Sequence, residues 1–365
     1  MKKALATLLI ASMTIASLAA CGGTTTSGTG TTETAVGESS VSDNTTSADE
    51  SALAESNTDT SVSQDTKAET SAADSSVAEE AEEENYETGD ASLDNPRNQD
   101  DIGENELLVV SFGTSFNDSR RNTIGAIEDA LEKAFPDWSV RRAFTSQIII
   151  DHVKSRDGEE IDNVKQALDR AVSNGVKKLV IQPTHLMNGL EYTDLTEEVS
   201  QYADAFDKIS IGEPLLGTDE DFKSVEEAIT GATASYDDGQ TAIVFMGHGT
   251  EADSNAIYSK MQENLKADKY DNYYIGTVEA TPSVSDVLEQ VKAGDYKRVV
   301  LRPLMVVAGD HANNDMAGDE DDSWKSIFEA AGYNVECVLE GLGSVDAIHE
   351  IYVAHAQKAV DEALS

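Results

Sequence analysis

Between residues 104 and 365, short apolar runs alternate with amphipathic stretches, and this alternation limits the fold more than any other feature. Eight runs have the length and apolar content of buried strands: 107–112, 139–144, 178–182, 209–215, 241–246, 273–278, 299–303 and 335–339. The stretches between them carry apolar residues at helical spacing, as in Ile124, Ile127, Leu131 and Phe135. Strand–helix alternation of this kind predicts parallel sheets with helices on both faces.

The eight predicted strands fall into two runs of four that resemble each other. The segment 110–114 (Val-Ser-Phe-Gly-Thr) parallels 246–250 (Met-Gly-His-Gly-Thr), and 178–185 parallels 298–305. Continuing the second alignment brings Glu191 opposite His311. A spacing of about 120 to 135 residues is typical of a duplicated domain rather than of a solenoid.

We therefore predict an α/β fold of two similar lobes, residues 104–238 and 239–365. Each lobe is expected to contain a four-stranded parallel sheet flanked by helices. A cleft between two such lobes is the natural place for a ligand.

The first hundred residues have a different composition. Residues 1–20 begin with two lysines and continue with small apolar residues, as secretory signal peptides do. The segment Leu18-Ala19-Ala20-Cys21-Gly22 resembles the bacterial lipobox, which predicts lipidation of Cys21; an ordinary signal peptide is the alternative. Residues 21–103 are rich in Ser, Thr and acidic residues and predict a disordered tether. Together these features predict an extracytoplasmic, membrane-anchored lipoprotein.

Charge and cysteine content exclude several classes of protein. The formal net charge of −43 argues against nucleic-acid binding. The chain has two cysteines, Cys21 and Cys337, so lipidation of the first leaves no intramolecular disulfide and no two-cysteine metal site. The sequence contains no Walker loop, dinucleotide fingerprint or Gly-x-Ser-x-Gly elbow, and ATP- or NAD-dependent chemistry is therefore unsupported.

Three of the six histidines, His185, His248 and His311, follow predicted strand ends. Open α/β sheets bind ligands outside the carboxyl ends of their strands, and imidazole both binds transition metals and moves protons. Glycines on both sides of His248 allow the backbone to approach a ligand closely. The counterpart of His185 in the second repeat is Met305, so the duplicated fold does not need a histidine there. These positions favour a functional role for all three histidines.

Glu213 lies at the end of another apolar strand and would complete a three-point metal site with His185 and His248. Such a ligand set suits Co²⁺, Fe²⁺, Ni²⁺ or Zn²⁺ and does not choose among them. Structural alternatives remain for each residue: a helix cap for His248 or His311, a satisfied structural histidine for His185 and an exposed strand-end charge for Glu213. The other histidines lie on polar helical stretches and are expected at the surface: His152, His349 and His355.

Five segments together resemble one enzyme family, the anaerobic sirohydrochlorin cobaltochelatases. This family belongs to the class II chelatases, which share a two-lobed ferrochelatase-like fold. The resemblance extends from about Leu107 to Ala356 and rests on 111–116 (SFGTSF), 142–146 (RAFTS), 182–186 (QPTHL), 245–249 (FMGHG) and 307–316 (VAGDHANNDM).

The resemblance implies insertion of Co²⁺ into a reduced tetrapyrrole, without ATP, on the anaerobic route to cobalamin; Fe²⁺ and Ni²⁺ are alternative metals. It implies that His185 is the catalytic proton acceptor and a metal ligand, that His248 is a second ligand and that Glu213 is near the carboxylate ligand. The ring loses two pyrrole protons as the metal enters, and a neutral imidazole can accept one. Ring contacts are expected from Phe112, Gly113, Thr114, Ser115, Met246 and His311.

The export signal and the acidic tether depart from what is expected of a cytoplasmic biosynthetic enzyme. The alternative is an extracytoplasmic carrier that binds haem, another tetrapyrrole or a metal on the same fold. A carrier would use the same cleft without turnover.

Overall fold

The structure is a computed structural model and describes residues 88–100 and 102–365. The predicted signal peptide, the lipidation site Cys21 and the predicted tether up to residue 87 lie outside the described residues. The remainder of the predicted tether, 88–100 and 102–103, was expected to be disordered, but it contains the 3-10 turn Ala91–Leu93 and buries the side chain of Arg97. This segment therefore packs against the N-terminal lobe.

The N-terminal lobe is built on a parallel sheet of five strands in the order β3-β2-β1-β4-β5. The strands are β1 (Asn105–Ser111), β2 (Ser139–Phe144), β3 (Asp162–Asn163), β4 (Lys178–Pro183) and β5 (Lys208–Ile211). Our expectation of four strands missed β3. Its two residues pair with the end of β2 at the sheet edge and are too few to form an apolar run in the sequence.

The C-terminal lobe contains the four expected parallel strands, in the order β7-β6-β8-β9. They are β6 (Thr241–Gly247), β7 (Tyr273–Thr277), β8 (Arg298–Pro303) and β9 (Asn334–Cys337). Val110 pairs with Pro183 in the first sheet, and Met246 pairs with Pro303 in the second. The two sheets therefore share the register that the sequence alignment of the repeats predicted.

Helices cover both faces of each sheet. They are α1 (Asn117–Arg120), α2 (Ala126–Ala134), α3 (Gln147–Asp157), α4 (Val164–Ser173), α5 (Leu190–Ser200), α6 (Asp219–Thr233), α7 (Ala256–Ala267), α8 (Val284–Lys292), α9 (Trp324–Ala330) and α10 (Asp346–Leu364). A π-helical turn, Arg121–Gly125, joins α1 to α2, and a second one, Ala312–Met316, follows β8. Capping boxes start α4, α6 and α8, where a side-chain oxygen accepts from a backbone N–H of the first turn.

The last helix, α10, packs on α2, β4, β5 and α6 of the N-terminal lobe, although its residues follow those of the C-terminal lobe. Ile348, Tyr352 and Ala356 recur at helical spacing on its buried face. The Tyr352 hydroxyl donates to the carbonyl of Thr184, 2.8 Å away, at the end of β4. Within residues 88–100 and 102–365, no helix has the length and apolar content needed to cross a membrane.

Candidate metal centre

Three strand ends of the C-terminal lobe bring together two imidazoles and a carboxylate. His248 follows β6, Glu279 lies just beyond β7, and His311 lies on the segment after β8. One ligand atom from each of the three lies within 4.8 Å of the others. The rings of His248 and His311 meet edge to face with their centroids 4.7 Å apart, and His248 Nδ1 is 3.6 Å from Glu279 Oε2. The C-terminal lobe alone therefore supplies a three-ligand group.

Hydrogen bonds orient the two imidazoles of this group. His311 Nδ1 donates to Asp315 Oδ2 at 2.7 Å, and His248 Nδ1 donates to the carbonyl of Gly249 at 2.8 Å. With the proton on Nδ1, the Nε2 lone pair of each ring is available to a metal. Burial would lower the pKa of His311, but its hydrogen bond to Asp315 and the charge of that carboxylate raise it.

Two imidazole nitrogens and one carboxylate oxygen are ligands that suit borderline divalent metals such as Co²⁺. Three protein ligands leave coordination positions open for water or for an incoming ring nitrogen. Asp310, His311 and Asp315 form a second group with ligand atoms within 4.8 Å of one another, and it shares His311 with the first. The arrangement can therefore hold a metal ion and release it to another ligand.

His185 lies just after β4, and a hydrogen bond within the N-terminal lobe holds its backbone. Its carbonyl accepts from the N–H of Leu215 at 2.9 Å. The side chain is 9% exposed, and neither ring nitrogen has a hydrogen-bond partner. Burial lowers the pKa of His185 to about 4, so the imidazole is neutral at neutral pH. A neutral imidazole has the lone pair that a proton acceptor needs.

Glu213 is exposed and is held through its backbone rather than its carboxylate. Its carbonyl accepts from Gln182 Nε2 at 3.1 Å and from His355 Nδ1 at 3.2 Å. Among the described residues, neither His185 nor Glu213 belongs to a group of three side chains whose ligand atoms lie within 4.8 Å of one another, as those of the His248 group do. The trio His185, Glu213 and His248 that the sequence suggested therefore stays a prediction.

The predicted ring-binding loop follows β1 and faces the C-terminal lobe. Phe112 is 44% exposed, whereas Thr114 is buried. Gly113 has φ +108°, and a Cβ there would lie 2.6 Å from the ring of Phe144, so only glycine fits. A Cβ on Gly309 of the other lobe would lie 3.3 Å from Thr114 Oγ1. The loops of the two lobes therefore approach each other closely here.

Two other predicted ring contacts are buried in the structure, namely Ser115 and Met246. Met246 is fully buried and packs in the apolar core of the C-terminal lobe with Val244 and Phe328. The expectation that Met246 lines the cleft was wrong, because its side chain belongs to the core beneath the helices.

Sequence reasoning missed Glu279 and misjudged His355. Glu279 directly follows a strand, and the rule that selected Glu213 applies to it equally. His355 was expected at the surface but is 2% exposed, with Nε2 2.9 Å from Asp221 Oδ1. Its spacing from Tyr352 marks the buried face of α10. The two other histidines expected at the surface are partly buried: His152 and His349.

Two similar parallel α/β lobes, with two histidines and a carboxylate at neighbouring strand ends of the C-terminal lobe, fit the class of two-lobed metal chelatases. The family model described as cobalt chelatase (CbiK) matches residues 105–361. The chain is 38% identical over 258 residues to the sirohydrochlorin cobaltochelatase of Salmonella typhimurium, covering 71% of this chain and 97% of the relative. The chain therefore belongs to the cobalt chelatase family, and it is a metal chelatase.

Two further comparisons agree with this assignment. A protein named sirohydrochlorin cobaltochelatase CbiKC from Nitratidesulfovibrio vulgaris is 30% identical over 257 residues, covering 70% of this chain and 90% of the relative. The solved structure of SirB from Bacillus subtilis with Fe³⁺ superposes with a TM-score of 0.51 at 14% identity, covering 70% of this chain and 96% of SirB. At that identity the likeness shows the shared fold alone.

Proposed function

We propose that this chain inserts Co²⁺ into sirohydrochlorin or a closely similar reduced tetrapyrrole without ATP. The observation that carries the proposal is the group formed by His248, Glu279 and His311 at the strand ends of the C-terminal lobe. Two relatives named sirohydrochlorin cobaltochelatase, each aligned over most of its length, support the choice of ring. Fe²⁺ and Ni²⁺ suit the same donor set.

In this mechanism the three C-terminal-lobe ligands hold Co²⁺ on one side of the cleft. The exposed face of Phe112 and the backbone around Gly113 receive the flat ring on the other side. As Co²⁺ passes to the ring nitrogens, two N–H bonds break, one proton goes to a protein base and the other to water, and cobalt–nitrogen bonds replace those to the protein. Formation of these bonds drives the step, so no nucleotide is consumed.

We assign the role of proton acceptor to His185. Its imidazole is neutral because burial lowers its pKa to about 4. Its two nitrogens have no partner that would compete for the proton. A free lone pair on a neutral ring nitrogen can accept one of the two pyrrole protons. The competing assignment makes His185 and Glu213 metal ligands with His248, and variants described in the Discussion separate the two.

We also propose that the enzyme works outside the cytoplasm on a lipid anchor at Cys21. The lysine-led apolar start, the lipobox-like segment and the acidic stretch after it support this setting. The same features favour a second candidate function, an exported carrier for haem, another tetrapyrrole or a metal. The carrier would retain the metal group and bind the ring without exchanging protons for metal.

The test is anaerobic incubation of the protein with sirohydrochlorin and Co²⁺, Fe²⁺ or Ni²⁺, followed by absorbance. The proposal predicts catalytic conversion of the metal-free spectrum, many turnovers per protein, fastest with Co²⁺. Stoichiometric binding of sirohydrochlorin or haemin without conversion would support the carrier and overturn the enzyme.

A further inference from the structure

The segment 88–97, which we call the N-terminal strap, lies before the part of the chain that the family model matches. It is tied to the start of α1 by two hydrogen bonds. The N–H of Asp118 donates to the carbonyl of Thr88 at 2.8 Å, and Asn117 Nδ2 donates to the carbonyl of Gly89 at 3.2 Å. The strap therefore runs against the helix that follows the ring-binding loop.

Asp94 is the charged centre of the strap. Its side chain is 2% exposed. Its carboxylate accepts from Arg120 Nε at 2.7 Å and from both terminal nitrogens of Arg142, at 2.6 and 3.1 Å. Burial would raise the pKa of Asp94, but its hydrogen bonds and charge pairing with Arg142 and Arg120 hold it below its ordinary value. One carboxylate thus joins two fully buried guanidinium groups.

Arg120 links Asp94 to the ring-binding loop, residues 112–116. Its Nη1 donates to the carbonyl of Thr114 at 3.3 Å, and its Nη2 donates to Glu159 Oε2 at 3.0 Å. Thr114 is the residue that meets Gly309 of the opposite lobe. The chain of contacts from Asp94 through Arg120 therefore ends at the side of the cleft where the ring is expected.

We propose that Asp94 is a positioning residue that fixes the ring-binding loop through Arg120; this inference rests on the proposed function. A planar guanidinium has donors at fixed angles. The hydrogen bond from Arg120 Nε to Asp94 therefore sets the direction in which Arg120 Nη1 donates to the Thr114 carbonyl. Without the carboxylate, Arg120 turns toward Glu159 and the loop loses a fixed charged donor. The strap thereby makes the ring site of this chain dependent on residues outside the family-matched domain.

The test uses Asp94→Asn in the full chain and measures the dissociation constant of sirohydrochlorin by absorbance, with Co²⁺ binding measured separately. We expect ring affinity to fall about 10-fold, because the ring-binding loop is no longer oriented by a fixed, charged hydrogen-bond donor. Co²⁺ affinity should not change, because the metal ligands lie in the other lobe. In turnover, the KM for sirohydrochlorin should rise while the KM for Co²⁺ stays constant.

Asp162→Asn is the matched control. It removes another largely buried carboxylate of the same lobe, at the β2–β3 edge of the sheet, that accepts from Arg141 at 2.9 Å and from Arg170 at 2.6 Å. It should lower stability and leave ring affinity unchanged. Equal losses of ring affinity in the two variants, or none in Asp94→Asn, would overturn the positioning role.

Arg120→Lys keeps a cation beside Asp94 but cannot reach the carboxylate and the Thr114 carbonyl together. It should reproduce the loss of ring affinity even if Asp94→Asn does not fold, and normal ring binding in Arg120→Lys would contradict the proposal. A wild-type protein that binds the ring without inserting metal would remove the proposed enzyme activity but leave these binding comparisons valid. A wild-type protein that does not bind the ring would overturn both.

Discussion

The two lobes have equivalent backbone hydrogen bonds between neighbouring strand ends, but they carry different side chains there. In the C-terminal lobe the N–H of Glu279 donates to the carbonyl of His248 at 2.9 Å. In the N-terminal lobe the N–H of Ser146 donates to the carbonyl of Phe112 at 3.2 Å. Two candidate metal ligands in one lobe thus correspond to a phenylalanine and a serine in the other.

The third strand end continues this contrast. His311 corresponds to Glu191 in the alignment of the repeats, and Met305 corresponds to His185. The lobe with the metal group therefore has an apolar side chain where the opposite lobe has its buried imidazole. In the proposed mechanism, substitution at equivalent strand ends gives one lobe the metal and the other lobe the ring and the proton acceptor.

The interiors differ as well. The N-terminal lobe buries four arginines among acidic partners: Arg97, Arg120, Arg141 and Arg142. In the C-terminal lobe Arg302 is the buried arginine among the residues described, and the core beneath the metal group is apolar. The N-terminal lobe therefore pairs its buried arginines with acidic residues in its interior. The C-terminal lobe instead places ionisable side chains, those of the His248 group, at its strand ends.

The largest effect is expected from His248→Ala. Loss of a partner outside the coordination sphere already lowers metal affinity about 10–100-fold, so loss of a direct ligand should lower Co²⁺ insertion by at least about 10³-fold. Binding of sirohydrochlorin, measured by absorbance, should be retained. His152→Ala, at a histidine outside the metal groups, serves as the control, and equal losses in both variants would refute the assignment.

The buried charges of the N-terminal lobe give the next largest effect. Arg142→Met leaves the buried carboxylates of Glu128 and Asp94 without their shared cation. Breaking such a pair costs about 3–5 kcal/mol of unfolding free energy, measured by urea denaturation. Arg298→Met, at a partly exposed pair with Glu336, should cost about 0–1 kcal/mol. Similar costs in the two variants would contradict the contrast between the lobes.

His185→Ala should separate proton transfer from metal binding. Since positioned proton acceptors contribute about 10²–10⁴-fold, we expect turnover to fall about 10²-fold. Affinity for Co²⁺ and for the ring should remain close to that of the wild type, as measured by anaerobic titration. Unchanged turnover would remove His185 from the mechanism.

The smallest effect concerns pH. Burial raises the pKa of Glu106 from 4.5 to about 7, against the attraction of Arg141. The folded protein therefore holds this proton more tightly than the unfolded chain, so the stability it contributes is complete below the ordinary pKa and is lost as pH rises through 7. Between about pH 5 and pH 8 the wild type should lose ~2 kcal/mol more stability than Glu106→Gln. Parallel pH profiles in urea denaturation would contradict this.

The sequence predicted the two-lobed fold because strand and helix periodicities are local and the repeat alignment fixes the register. It placed His248 and His311 at strand ends because that rule depends only on where each strand stops. The same rule applies to Glu279, which directly follows the predicted strand 273–278.

The features that were missed depend on contacts between distant segments. No periodic pattern in the sequence indicates that Asp94 pairs with Arg120 or Arg142. A two-residue strand such as β3 is too short to contain an apolar run. The return of α10 to the N-terminal lobe, which buries His355, is likewise decided by packing.

The most direct test of the account is the comparison of Glu279→Gln with Glu213→Gln in anaerobic Co²⁺ titrations followed by visible absorbance. The account predicts that Glu279→Gln weakens Co²⁺ binding and alters its spectrum, because the carboxylate lies in the group with His248 and His311. Glu213→Gln should match the wild type. A normal titration for Glu279→Gln together with weakened binding for Glu213→Gln would contradict the claim that the C-terminal lobe holds the metal.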